Sequence, residues 1–151
     1  MARFVYRMQN ILELTEKLET QEKINFGIAQ QAVNEEQDKL KALLEKRKEY
    51  DELQAELVKG EIDFAKLEQC KQAITIMKVK IRDQMLALQK AQRNLERARK
   101  RLDEVMKDRK THENLRDKAF EEFKKELAAE ENKATDELVS YTYHDGGGDE
   151  E

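Results

Sequence analysis

The sequence predicts an all-α protein: an elongated antiparallel two-helix coiled-coil hairpin with a longer second helix. Three observations carry that prediction. The first is composition. Of 151 residues 41% are charged, Pro and Trp are absent, and three of only five Gly sit together at Gly146–Gly148. Sheet and mixed folds need turn residues at regular spacing, and strong helix formers dominate here instead. The second is periodicity. Leu67, Ile74, Ile81, Leu88, Leu95 and Leu102 recur seven apart, with Cys70, Met77, Gln84, Ala91, Ala98 and Val105 three residues behind. Six such repeats read as coiled coil, and one helix cannot bury that stripe alone. The third is complementarity. If the chain folds back near residue 60, Leu67 meets Leu53, Cys70 meets Tyr50, Met77 meets Leu43, Ala91 meets Ala29, and polar Gln84 meets Glu36.

The first arm is expected over about residues 3–58. Phe4, Met8, Ile11, Leu18, Ala29, Ala32, Leu43, Tyr50, Leu53 and Leu57 form a poorer stripe, interrupted by Glu22, Asn25 and Glu36. Gly27 lies inside it and weakens it locally. The turn is expected at about 59–62, with Gly60 past the helix end and Asp63 positioned to cap the next helix. The second arm is expected over about 63–139. A mobile acidic tail, 140–151, follows with its triple glycine.

On this pairing Arg109 falls opposite Ile11, His112 opposite Met8 and Arg116 opposite Phe4, a polar junction on the stripe. Residues beyond about Asp117 have no partner within the chain. Phe120, Phe123, Leu127 and Leu138 nevertheless continue an apolar line at helical spacing. An unpaired apolar line is a binding surface.

Several function classes are excluded. No glycine loop for phosphate is present. His112 and His144 have no second ligand at metal spacing, so no metal site is expected. A two-helix hairpin offers no water-excluding pocket, so neither an enzyme nor a cofactor protein is expected. The lone Cys70 reads as a small buried apolar group. No apolar run is long enough to insert into a membrane. The basic run Arg93–Lys110 has eight basic residues, but Glu96, Asp103, Glu104 and Asp108 interleave with it and no aromatic lies within it; nucleic acid is not an expected partner.

The opening Phe4-Val5-Tyr6-Arg7-Met8-Gln9-Asn10-Ile11-Leu12 resembles the start of FliJ proteins, small flagellar export components that commonly open aromatic-x-aromatic-Arg-x-Gln-x-hydrophobic-Leu. Length and the unequal proline-free hairpin agree over about residues 2–139. The resemblance implies a non-enzymatic part of the flagellar type III export apparatus. It would be cytoplasmic and peripherally associated with the inner membrane at the flagellar base. Implied partners are a hexameric FliI-like export ATPase with its FliH-like regulator, the cytosolic domain of an FlhA-like export gate, and export chaperones. Phe4, Met8, Phe120, Phe123 and Leu127 would then be the apolar contact to the ATPase ring, and Leu43 and Tyr50 the contact to the gate. Lys46 departs from the family, standing where some members carry another tyrosine. The competing expectation is a structural tether or scaffold that acts by homo-association.

Overall fold

The computed structural model describes residues 2–146, with side chains described through Tyr143. Two helices make up the fold, α1 (Gln9–Leu57) and α2 (Phe64–Gly146), and no strand occurs among the described residues. They pack antiparallel as a coiled-coil hairpin. The chain divides into two compact units: Thr20–Glu104, here the hairpin unit, and Met1–Glu19 with Val105–Glu151, here the terminal unit.

In the hairpin unit the reversal follows from three residues. The Lys59 N–H donates to the Glu56 carbonyl at 3.1 Å, tightening the last turn of α1. Gly60 then takes φ 73°, where a Cβ would meet its own backbone. Asp63 Oδ1 accepts from the Ala65 and Lys66 N–H groups at 3.1 and 3.3 Å, an N-cap that contributes about 1 kcal/mol.

The α2 seam carries the buried residues Cys70, Ile74, Met77, Ile81, Ala91 and Ala98. The α1 seam follows the apolar line read from the sequence only in part, sharing Ala29, Leu43, Tyr50 and Leu57 with it. It alternates three and four residues through Leu12, Thr15, Glu19, Glu22, Phe26, Ala29, Val33, Glu36, Leu40, Leu43, Arg47, Tyr50, Gln54 and Leu57. Met8, Ile11, Leu18 and Leu53 are exposed instead. Glu22 and Glu36, read as interruptions, are members of the seam, because α2 presents polar partners to them, for Glu36 the Gln84 that the pairing of the arms predicts. Gln84 Nε2 donates to the Glu36 carbonyl at 3.1 Å and meets its carboxylate. Arg101 Nε lies 3.7 Å from Glu22 Oε2. Near the reversal the Cys70 thiol donates to the Tyr50 carbonyl at 3.3 Å.

In the terminal unit the pairing differs from the sequence reading. Arg109 meets Glu19, eight residues beyond the expected Ile11. A side chain that must bury a charge takes an acid over an isoleucine. Helix α1 begins at Gln9, not near residue 3. Its first bonds run from the Gln9 N–H to the Tyr6 carbonyl (3.1 Å) and from the Ile11 and Leu12 N–H groups to the Met8 carbonyl (both 3.0 Å). Phe4-Val5-Tyr6 are weaker helix formers, and their non-helical backbone lets Phe4 turn onto α2. At the other end α2 runs past Val139 to Gly146. Of the tail expected at 140–151, therefore, the first seven residues are helical, with Thr142 Oγ1 donating to the Leu138 carbonyl at 2.8 Å. No proline stops the helix, and Gly is the first residue that would. The remainder of that tail, 147–151, lies outside the described residues.

Candidate functional site

The terminal unit gathers most of the residues singled out in the sequence. Phe120 and Phe123 lie one turn apart on α2, so their rings project to one side. The non-helical segment ahead of α1 brings Phe4 against both. Its ring centroid is 5.1 Å from that of Phe120, edge-on at 64°, and 5.5 Å from that of Phe123 at 50°. Such aromatic pairs contribute about 0.5–1.5 kcal/mol each beyond area burial. Lys124 Nζ stands 4.5 Å above the Phe120 ring. The expectation that nothing in the chain covers Phe120 and Phe123 is thus overturned: Phe4 covers them in part. The expected pairing placed Phe4 opposite Arg116, one turn short of Phe120, which is why the sequence reading missed the contact. Phe120 remains 39% exposed, enough for a second apolar surface to reach it.

Two grooves flank the segment. One, of 550 Å³, runs between Arg3, Phe4, Val5, Tyr6, Arg7 and Met8 on one side and Ala119, Glu122, Phe123 and Glu126 on the other. The second, of 330 Å³, is bounded by Arg3, Phe4, Val5, Tyr6, Gln9 and Arg116. Met8 therefore joins the aromatic cluster through the first groove, whereas half-buried Leu127 lines neither. The sequence reading did not single out Tyr6. Its hydroxyl is shielded from solvent and has no hydrogen-bond partner. Only the tertiary position of the segment shows this.

Below the cluster lies the polar junction. Arg109 Nη1 bonds Glu113 Oε1 at 2.7 Å, and its Nε meets the Glu19 carboxylate. The Glu113 hydrogen bond, with the charges of Glu113 and Glu19, raises the Arg109 pKa above its ordinary value, and desolvation acts in the opposite direction. His112 is half-buried, with Nδ1 shielded and lacking a partner. Arg116 is exposed.

The residues expected at the export gate lie in the hairpin unit. Leu43 and Tyr50 are both half-buried on the seam. Tyr50 also lines a 350 Å³ groove with Leu53, Leu57, Lys66, Gln69, Cys70 and Ala73. Leu43 does not. No group of His, Cys, Asp and Glu able to hold a metal occurs among the described residues, and no described helix is long and apolar enough to cross a membrane.

Comparison with known proteins fits this architecture. No curated protein sequence matches the chain. The solved structure of a YscO homologue from Chlamydia trachomatis superposes with a TM-score of 0.73 at 17% identity, covering 99% of this chain and 100% of the other. At that identity the likeness speaks for the two-helix fold alone. The family model described as Flagellar FliJ protein matches residues 4–148. That span takes in the aromatic segment, both helices and the reversal between them, and the chain belongs to the FliJ family.

Proposed function

We propose that this FliJ-family chain is a non-enzymatic component of the flagellar type III export apparatus whose terminal unit docks into a hexameric FliI-like export ATPase. The observation that carries the reading is the Phe4–Phe120–Phe123 cluster, which is held together by the fold and still leaves Phe120 partly open. An apolar knob of this kind fits a ring interior, and Met8 and Leu127 extend it. A two-helix unit has no six-fold symmetry, so it contacts the ring's subunits unequally. That inequality promotes ring assembly or biases successive hydrolysis events, and the chain itself binds no nucleotide.

In the same reading the FliH-like regulator acts on the ring. The hairpin unit faces the FlhA-like gate through the groove beside Tyr50, with Leu43 further along the seam. The protein then works in the cytoplasm at the inner membrane, and escorting export chaperones is part of that role. The test is the double replacement Phe120→Ala, Phe123→Ala. Helicity by circular dichroism should be unchanged while stimulation of the ATPase is lost; undiminished stimulation overturns the proposal.

One observation favours a second reading. Leu138, Val139, Tyr141 and Tyr143, late in α2, are 61–83% exposed. A scaffold acting by homo-association would use that surface. Sedimentation separates the two: the adapter is a monomer at all concentrations, and the scaffold forms a concentration-dependent dimer or tetramer.

A further inference from the structure

The 330 Å³ groove beside the N-terminal segment has a one-sided chemistry. Its exposed charged side chains are those of Arg3 and Arg116, with Phe4 and Val5 supplying apolar wall; the Gln9 amide is bonded to Glu13, the Tyr6 hydroxyl is shielded, and Arg3 also borders the neighbouring groove that carries Glu122 and Glu126. Four other arginines take carboxylates: Arg47 pairs with Asp51, Arg82 with Asp83, Arg101 with Glu22, and Arg109 with Glu19 and Glu113; Arg93, Arg97 and Arg99 are exposed, with no ion pair among the described residues. Arg3, Arg116 and the adjacent Arg7 are exposed and make no ion pair among the described residues.

We infer that this groove is a docking site for an acidic peptide segment of a partner protein, with a carboxylate held between Arg3 and Arg116 and a neighbouring apolar side chain against Phe4 and Val5. Guanidinium forks match a carboxylate in bidentate geometry, and charge-assisted bonds of this kind are the strong ones. Val5, 76% exposed, is free to take the apolar neighbour. A polyphosphate chain fits less well. Arg116 has Glu113 and Asp117 within one turn on α2, and the opposite groove carries Glu122 and Glu126. An extended polyanion meets those acids along its length. The inference deepens the docking reading of the terminal unit and rests on it for the partner's existence.

The experiment titrates the full chain, isotope-labelled, with a blocked Glu-Leu-Asp-Phe tetrapeptide, its Gln-Leu-Asn-Phe counterpart, inorganic phosphate and a short single-stranded oligonucleotide. The acidic peptide should shift the side-chain N–H resonances of Arg3 and Arg116. Arg116→Gln, an exposed change, should weaken its binding about tenfold, the loss expected for one charge-assisted contact. Equal binding of the neutral peptide, equal or stronger shifts with phosphate or the oligonucleotide, or no effect of Arg116→Gln overturns the inference. No ATPase is present in this assay. Loss of ATPase stimulation in Phe120→Ala, Phe123→Ala therefore fails or succeeds independently of it.

Discussion

Glu19 of α1 and Arg109 of α2 form an ion pair in the seam of the terminal unit, with 9% and 25% of their side chains exposed. Glu113 holds the other edge of the guanidinium at 2.7 Å. Removing one member of such a pair strands the other charge away from water, whereas replacing both with apolar residues is often neutral or stabilising. Arg109→Leu should therefore lower the urea midpoint, and Glu19→Leu with Arg109→Leu should recover it. A double variant no more stable than the single one would show that the charges do not act as a pair. The sign of the pH dependence also follows. A pKa raised on folding contributes stability that is complete below its unfolded value and lost only as pH rises through the folded one. Arg109 is thus no source of acid lability.

Tyr6 offers a cheaper gain. Its hydroxyl is shielded from solvent without a partner. A buried unsatisfied donor costs more than its absence, so Tyr6→Phe should stabilise the segment by about 1 kcal/mol. The amides of Gln9, Ile11 and Leu12 bond back to Tyr6 and Met8 and report on it directly. Their hydrogen exchange should slow several-fold in Tyr6→Phe. Faster exchange would mean that the hydroxyl is satisfied in solution.

The two glycines of the body should respond in opposite directions. Gly27 lies within α1, and a Cβ built there meets nothing within 4 Å. Gly27→Ala should stabilise the protein by about 1 kcal/mol. Gly60 also has open space, but its φ is +73°. Gly60→Ala should cost about 1–2 kcal/mol because of backbone strain alone. Urea denaturation of both variants checks the pair of signs.

Much of α2 was legible because its seam is apolar: Ile74, Met77 and Ile81 announce their face by spacing, and all three are buried. The seam of α1 was legible only in part. Thr15, Glu19 and Glu22 occupy positions that a hydrophobicity pattern assigns to solvent; Arg109 and Arg101 on α2 meet the two acids, Thr15 bonds the Leu12 carbonyl of its own helix, and the meeting of Glu36 with Gln84 was legible only by pairing the two arms. A one-helix pattern carries no record of its partner's polar groups. The aromatic cluster was half legible. Phe4, Phe120 and Phe123 stood out as large apolar residues, but their contact is made by a segment, residues 2–8, that lies outside the helix the periodicity implied.

The same polar layers give a last prediction, about specificity. Gln84 donates to the Glu36 carbonyl and meets its carboxylate, in a hairpin unit whose other seam layers are mostly apolar. A polar residue at a seam position fixes register and oligomeric state at some cost in stability. Gln84→Leu should cost about 1–3 kcal/mol, since the Glu36 carboxylate then keeps only Lys39, 3.7 Å away on its own helix. Glu36→Leu with Gln84→Leu should return at least that amount, and it should also relax the pairing. Slipped registers and intermolecular pairs then compete with the hairpin, so sedimentation equilibrium should detect more self-association than in the parent chain. A double variant that is more stable and self-associates no more than the parent chain would show that the apolar layers alone specify the hairpin, leaving Gln84 and Glu36 no part in choosing it.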